Sequence, residues 1–142
     1  IISYPGENYN DYQKTVNLMK EVKFINSYSF IYSARPGTPA YKLNSIDQQE
    51  SKKRLAYFQN IAEKIKTDYR KNLIGKTLKV LFENKLKNEN KYFGRDEFYN
   101  SVVVESDEDL SGKILNIKVV KVNQNTLFGE KKFNLKSVTY AA

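Results

Sequence analysis

Residues 75–130 carry the clearest strand pattern in the chain. Apolar and mostly polar side chains alternate over 77–82 and again over 115–120, and three valines occupy 102–104. A period of two predicts strands with one buried face, and a β-branched run suits a strand interior. Glycines fall at what look like the edges of these runs: Gly75, Gly94, Gly112 and Gly129. Short strands, glycine-containing turns and no helical pattern predict a small closed antiparallel β-barrel, because closure removes exposed strand edges.

The first third of the chain has a different pattern. Ile1 and Ile2 read as the end of a buried strand, and a turn over 3–7 follows. A helix is predicted from Asn8 or Asn10 to about Val22, with one face made by Tyr12, Val16, Met19 and Val22. Residues 24–33 are predicted to be a second strand, with Tyr28, Phe30 and Tyr32 on one face. Strand, helix and strand within this length predict a parallel βαβ unit, which we interpret as the C-terminal part of a larger α/β domain.

A second, longer helix separates the two patterns. Ser45 and Gln48 have the spacing of a capping box, and the helix is predicted over 46–71. One stripe is apolar, and lysines lie mostly off it: Leu55, Phe58, Ala62, Ile65 and Tyr69 form the stripe. We therefore predict a first domain over 1–73 that includes this connecting helix, a barrel domain over 74–135 and a tail over 136–142.

The loop over 33–40 directly follows the second predicted strand. It contains Arg35, two prolines and a glycine. Loops at the carboxyl ends of parallel strands often bind ligands, and an arginine can bind a carboxylate or phosphate through two parallel hydrogen bonds. A structural turn with a solvated arginine is the alternative, and the residues alone favour it.

Composition narrows the possible functions. The net charge is +8, which indicates a polyanionic partner, although a lysine-rich genome would also produce it. Cysteine and histidine are both absent, so the chain has no thiolate ligand, no cysteine nucleophile and no histidine base. No apolar run approaches the length of a membrane span. The charge alone does not decide between nucleic-acid binding and a lysine-rich composition. A complete enzyme fits the sequence poorly, although carboxylate chemistry remains open.

Several short motifs, taken in order, resemble one family. Ile1 to Asn8 resembles an apolar strand followed by Gly-Phe-Pro-Gly-Glu-Thr, and Ser33 to Ala40 resembles Ser-Pro-Arg-Pro-Gly-Thr-Pro-Ala. Further matches are Gly75-Lys76-Thr77, Gly94-Arg95, residues 100–104 and residues 125–130. Together they resemble the radical S-adenosylmethionine methylthiotransferases over roughly residues 1–135. The pattern is most similar to those that methylthiolate N6-dimethylallyladenosine beside the tRNA anticodon.

The resemblance implies a fold and cofactors. Residues before Asn44 would be the end of a radical S-adenosylmethionine (TIM-like) barrel, and the stretch from Gly75 an RNA-binding TRAM domain of OB-like form. Full-length members use S-adenosylmethionine and two 4Fe–4S clusters, and a cytoplasmic location is implied. This chain has no cysteine to ligate either cluster, so we expect it to be inactive by itself.

The resemblance also implies site residues. Ile2, Ser3 and Arg35 would lie at the cofactor pocket, although Ser3 stands where the family has glycine, and Ala34 where it has proline. The tRNA anticodon stem-loop would be the partner of the barrel. Candidate phosphate contacts are Lys79, Lys91, Arg95, Lys113 and Lys131. Candidate stacking residues are Tyr92, Phe93 and Phe128, with a core position as the favoured alternative for Phe128. The acidic loop 107–109 should face away from RNA.

Two other functions remain open at this point. The chain could be a stand-alone nucleic-acid-binding barrel with a helical extension and no catalysis. It could also belong to a sibling methylthiotransferase that modifies a ribosomal-protein aspartate or threonylcarbamoyladenosine in tRNA. The βαβ pattern at residues 1–33 favours an enzyme, because a binding module has no need of part of a second barrel. The oligomeric state is not indicated.

Overall fold

A computed structural model describes residues 1–87 and 89–131. The chain divides into two compact units, Ile1–Tyr69 and a second unit from Arg70 onward. The first contains α1 (Tyr9–Val22), a short 3-10 turn (Pro39–Lys42) and most of α2 (Gln48–Lys71). The second contains five strands: β1 (Thr77–Lys85), β2 (Lys91–Asp96), β3 (Ser101–Glu105), β4 (Ile114–Val122) and β5 (Thr126–Lys131).

Helix α1 begins where the sequence predicts. The Asn8 side chain accepts a hydrogen bond from the Asp11 amide at 3.0 Å, and the Asp11 carboxylate accepts one from the Asn8 amide. This reciprocal capping box satisfies two backbone donors that have no partner within the helix. Tyr12, Val16 and Met19 are buried as predicted, but Val22 is 51% exposed and does not join them.

Helix α2 is capped by a residue that we did not predict. The Asp47 carboxylate accepts hydrogen bonds from the amides of Gln49 and Glu50, at 3.0 and 2.9 Å. The predicted Ser45–Gln48 capping box is therefore wrong. A carboxylate is the better cap here because its charge also interacts favourably with the positive end of the helix dipole. The helix ends at Lys71 as predicted.

The core of the first unit lies between the two helices. Phe58 of α2 is buried in a cluster with Ile2 and the buried face of α1. Partly buried residues of α2 pack against this cluster: Leu55, Ile61, Ala62 and Ile65. The predicted apolar stripe of α2 is thus confirmed for Leu55, Phe58, Ala62 and Ile65.

The predicted second strand over 24–33 is wrong in extent. Within the described residues of the first unit, strand-like pairing is limited to one parallel bridge between Ile2 and Ile31. The Ile2 amide donates to the Phe30 carbonyl and the Tyr32 amide to the Ile2 carbonyl, both at 2.8 Å. Tyr28 and Phe30 are largely exposed. An alternating apolar pattern forms a strand only where a neighbouring strand supplies hydrogen-bond partners along its length. Here only Ile31 has such a partner.

The second unit is a closed barrel, as predicted, with strand order β1-β2-β3-β5-β4. All neighbours are antiparallel except β3 and β5, which are parallel, so the prediction of a fully antiparallel barrel is wrong at that one pair. The cause is the strand order. Strand β3 runs in the same direction as β1, because both are antiparallel to β2. Strand β5 also runs in that direction, because β1 and β5 are both antiparallel to β4. The predicted alternation over 77–82 and 115–120 is confirmed by four fully buried residues: Val80, Phe82, Ile117 and Val119. Val102, Val104 and Leu127 are also fully buried.

Two glycines lie inside strands and not at their edges, which corrects the sequence interpretation. A Cβ on Gly94 would collide with the Leu81 carbonyl oxygen, and one on Gly129 would collide with Ile117 Cγ2. Gly75 and Gly112 have φ values of 83° and 75° and occupy turns as expected. The glycines in β2 and β5 are therefore required for close packing across the barrel, and not for chain reversal.

Among the described residues, no helix is both long and apolar enough to span a bilayer.

Candidate nucleic-acid interface

The outer surface of three adjacent strands forms the main candidate site. Tyr92, Gly94 and Asp96 of β2 point into the barrel and are buried, so Phe93 and Arg95 point outward. Phe93 pairs with Val103 of β3, and Val103 pairs with Phe128 of β5. Directly paired residues present their side chains on the same face of a sheet. Phe93, Val103 and Phe128 therefore form a partly buried apolar row, which we call the aromatic row.

A second row runs parallel to the first. Arg95 pairs with Ser101, and Ser101 pairs with Thr126. We call these three residues the polar row, and the six residues of both rows the β2–β3–β5 face. The face thus combines ring surfaces with one guanidinium and two hydroxyl groups, all groups that contact bases or phosphates in RNA-binding proteins.

Arg95 is fixed by three neighbours. Its guanidinium carbon lies 5.2 Å from the centre of the Phe93 ring and 5.4 Å from that of the Tyr99 ring. Its Nε lies 3.1 Å from a carboxylate oxygen of Glu83. Both side chains of this ion pair are more than a third exposed, so solvent screening keeps the pair weak. A phosphate can replace Glu83 at small cost.

The predicted lysines are spread around the barrel. Lys91 lies on the outer side of β2 and pairs with Glu89 at 2.6 Å, and Lys131 ends β5 and pairs with Glu108 at 2.9 Å. The hydrogen bond from Lys91 to Glu89 raises the pKa of the lysine. Lys79 lies on the outer side of β1 opposite Asn116, and Lys113 precedes β4. The structure thus brings Arg95, Phe93 and Phe128 onto one face, whereas Lys79 and Lys113 lie on other strands or turns.

Tyr92 is not a stacking residue. Its side chain is only 4% exposed and contributes to the barrel core, which corrects the sequence prediction. Lys85 Nζ lies 5.8 Å from the centre of its ring. Phe93 and Tyr92 are consecutive in a strand, so the two rings point to opposite faces and only one of them is accessible. Phe128 is partly buried, which fits neither a fully exposed platform nor the alternative of a core plug.

The acidic loop 107–109 has local partners. Glu108 pairs with Lys131, and this contact lowers the pKa of the Glu108 carboxyl. Hydrogen bonding by the Ser111 amide lowers the pKa of Asp109. Asp107 accepts a hydrogen bond from the Asn90 side chain at 3.5 Å. Lys131, like Arg95, thus has a carboxylate partner, and Glu108 is largely exposed.

The three predicted cofactor residues are not brought together. Ile2 is 1% exposed and belongs to the core between the helices, so its predicted place at a pocket is wrong. Arg35 lines a cavity of about 670 Å³ with Tyr4, Phe30 and Tyr32. Ser3 lines a separate cavity of about 200 Å³, where its buried hydroxyl finds no hydrogen-bond partner among residues 1–87 and 89–131. Ser3 also adopts φ 62°, which explains why glycine suits the position, and its amide donates to Glu7 at 2.7 Å.

Sequence reasoning missed several residues of the candidate interface. Val103 was read only as a strand residue, and its place in the aromatic row depends on its pairing partners. Tyr99 and Phe98 lie in a connection without periodicity, so no pattern marked them. Their exposure, 74% and 60%, is the signal in the structure.

Comparison with known families identifies the barrel. Residues 71–132 match the TRAM domain. This range contains all five strands of the closed barrel. Over these residues the closed barrel is therefore similar to a TRAM domain.

Comparison with individual proteins extends the match over both units. The chain is 44% identical over 130 residues to a tRNA-2-methylthio-N(6)-dimethylallyladenosine synthase from Pelagibacter ubique (strain HTCC1062), which covers 92% of this chain and 29% of that protein. Synthases of the same name from Ruthia magnifica subsp. Calyptogena magnifica and Wolbachia pipientis subsp. Culex pipiens (strain wPip) are 40% and 35% identical, over 91% of the chain and 29% and 30% of the relatives.

The chain spans about 30% of the length of these curated relatives and corresponds to their C-terminal part. The resemblance drawn from the motifs is confirmed: outside its TRAM domain, too, this sequence is similar to the tRNA methylthiotransferases.

Proposed function

We propose that this chain is the tRNA-binding, C-terminal part of a tRNA methylthiotransferase that acts on N6-dimethylallyladenosine beside the anticodon, in the cytoplasm. Its barrel would bind the anticodon stem-loop through the β2–β3–β5 face. The observation that carries the proposal is the arrangement of Arg95 beside the aromatic row within a TRAM domain. The names of the relatives support the substrate class.

Two cations on the outer side of β2 suit a polyanion, although the net charge of +8 belongs to the chain as a whole and not to the barrel. Arg95 and Lys91 have exposed carboxylates as their partners. Exposed ion pairs contribute roughly 0–1 kcal/mol each, so exchanging a carboxylate for a phosphate costs little. Binding would release counterions from the RNA, which makes the affinity dependent on salt.

The chemistry of the whole enzyme requires groups that this chain does not supply. Iron–sulfur clusters are held by cysteine thiolates, and this sequence contains no cysteine. The chain therefore does not fit either 4Fe–4S cluster as a ligand source, and no chemical step is assigned to it. For S-adenosylmethionine, the cavity beside Arg35 offers aromatic walls and one cation, so Arg35 remains a candidate contact, and Ile2 does not.

Titration of tRNA binding against salt tests the proposal. We expect the chain to bind a tRNA transcript with an affinity that falls steeply as salt rises. Arg95→Ala should weaken binding and reduce the slope of log affinity against log salt by about one, the equivalent of one phosphate contact. Binding by the wild type that is absent, or insensitive to salt, would refute the proposal.

Two matched variants control for charge. Lys14→Ala removes one cation from α1, where Lys14 is 80% exposed, and should leave the slope unchanged. Asp109→Ala removes an exposed acid of the barrel and should not weaken binding, since a repelling charge is lost. If Lys14→Ala reduces the slope as much as Arg95→Ala does, the charge effect is general and the β2–β3–β5 face is not the binding site.

Substrate choice needs a separate comparison. Methylthiotransferase activity of the full-length enzyme should appear on tRNA that carries N6-dimethylallyladenosine. It should be absent on tRNA that carries threonylcarbamoyladenosine and on a ribosomal-protein substrate. Activity confined to either of those two would support a sibling subfamily instead.

A further inference from the structure

The connection between β2 and β3 carries two unburied aromatic rings. Phe98 is 60% exposed and Tyr99 is 74% exposed, and both lie between the end of β2 at Asp96 and the start of β3 at Ser101. Large aromatic side chains at a loop tip expose apolar area to water without contributing to the core. Such exposure is typical of binding surfaces.

The connection is nevertheless rigidly built. The buried Asp96 carboxylate accepts hydrogen bonds from the Phe98 amide, the Asn100 amide and the Asn100 side chain, at 2.9, 2.8 and 2.8 Å. The Tyr99 amide donates to the Asp96 carbonyl at 3.1 Å, and the Asp96 amide to the Asn100 carbonyl at 3.2 Å. A charged acceptor that holds three donors fixes the backbone on which the two rings stand.

Tyr99 occupies a backbone conformation that suits another residue better. Its φ is 64°, in the left-handed region that glycine and asparagine adopt readily and in which a bulky residue is strained. The turn could be made at lower cost with glycine. Residues kept in such conformations cluster at ligand-binding positions, where the side chain serves a purpose that outweighs the strain.

Tyr99 is also positioned by Arg95. The guanidinium carbon contacts both the Phe93 and the Tyr99 ring, within 5.4 Å of each centre. The stack therefore continues the aromatic row beyond the strands to the loop tip. Its outermost member is a tyrosine that is three-quarters exposed.

We infer that Tyr99, held beside Arg95, is a stacking platform for one unpaired RNA base at the tip of the β2–β3 connection. This inference rests on the proposed function and adds to it a base contact and the residue that makes it. An unpaired base has a free ring face, whereas bases within a duplex are already stacked. The adjacent guanidinium favours RNA over an apolar protein segment, because the phosphate next to the stacked base can pair with it.

Tyr99→Gly provides the sharpest test, because it removes the ring and relieves the backbone strain together. The probe is a single-stranded RNA that contains a fluorescent adenine analogue whose emission falls on stacking. Wild-type chain should quench the probe. Tyr99→Gly should abolish the quenching and lower affinity about tenfold, a typical effect of losing one base–aromatic stack. Its salt slope should not change, since no charge is lost, and its thermal midpoint should be equal or higher.

Three further variants keep the test falsifiable if Tyr99→Gly affects folding. Tyr99→Phe keeps the ring and should bind and quench like the wild type. Tyr99→Leu keeps an apolar side chain on the same backbone and should lose the quenching. Tyr28→Ala removes a tyrosine that is 90% exposed in the first unit and should change neither affinity nor quenching.

The outcomes separate the two proposals. Salt-dependent RNA binding that Tyr99→Gly and Tyr99→Leu leave unchanged would overturn the stacking role alone and leave the proposed function standing. An equal loss in Tyr28→Ala would likewise overturn it, because the effect would not be specific to the loop. Absence of RNA binding by the wild type would overturn both.

Discussion

The two units of this chain bury their apolar side chains in different ways. In the barrel every strand has a hydrogen-bonded neighbour on both sides, and the inward side chains of all five strands meet in one core. In the first unit the core is one layer formed by two helices and Ile2. Its described strand-like pairing is the single bridge between Ile2 and Ile31. The barrel is complete in its hydrogen bonding, whereas the first unit is not.

The difference extends to the surface. Several large apolar residues of the first unit are more than half exposed, and they include Ile1, Tyr9, Tyr28 and Phe30. Among the described residues of the first unit, one bridge is the only strand-like pairing beside the two helices, and isolated parallel strands are marginal in water. We therefore expect the two units to differ in stability, because only the barrel has a closed backbone ladder.

Amide exchange should show the largest difference between the units. We expect amides within the barrel, such as those of Phe82 and Val119, to exchange about a thousandfold or more slowly than those of Ile2 and Tyr32. Opening the barrel requires unfolding of the whole domain, whereas the bridge can open locally. Hydrogen exchange followed by NMR measures this difference. Slow exchange confined to the bridge, with a labile barrel, would reverse the comparison.

A glycine substitution should weaken the barrel alone. Gly129→Ala places a methyl group against Ile117 Cγ2 and 2.9 Å from the Lys118 carbonyl oxygen, so we expect a loss of about 3 kcal/mol. Gly112→Ala is the control, since nothing lies within 4 Å of its added carbon and only the positive φ is unfavourable, at about 1 kcal/mol. Denaturant unfolding of the two variants gives both values. Equal losses would mean that close packing across the barrel is not limiting.

A smaller effect should appear in the first unit at high pH. Tyr12 is buried and donates to the Arg54 carbonyl at 2.9 Å, and burial raises its pKa above 10.0. The folded pKa is then higher than the unfolded one, so the stabilisation is complete below about pH 10 and is lost as pH rises further. Tyr12→Phe should cost about 1 kcal/mol at neutral pH and remove this pH dependence. Circular dichroism of the helices against pH measures it, and an unchanged profile in the variant would exclude Tyr12 as the cause.

The sequence predicted those parts of the fold where one physical pattern dominates. Alternation marked β1 and β4 because each strand has one buried face, and the α1 capping residue was evident from Asn8 and its neighbours. Strand β2 was missed because Gly94 and the charged residues around it resemble a turn. Gly94 is required instead by its close contact with the Leu81 backbone, which the local sequence does not reveal. The parallel pairing of β3 with β5 depends on chain topology, which no local pattern records.

The candidate site was predictable in part for the same reason. Phe93, Arg95 and Phe128 were proposed from residue type and the family resemblance, and their RNA contacts stay a prediction. Tyr92 was assigned to the wrong face because β2 had not been placed in register. Tyr99 has no periodic context and acquires its role only from a buried carboxylate and a left-handed backbone. Residue type indicates which chemistry is present, and the strand register decides which side chains can use it.

The way the barrel closes determines when it can fold. Strand β1 pairs with β4, far along the chain, and β3 finds its second partner only in β5, the last of the strands. During synthesis the ribosome must release residues up to Lys131 before the ladder is complete. Until then β3 and β4 each have one unpaired edge, which other chains can join. Non-local pairing of this kind slows folding, so the nascent domain depends on the last strand for protection against aggregation.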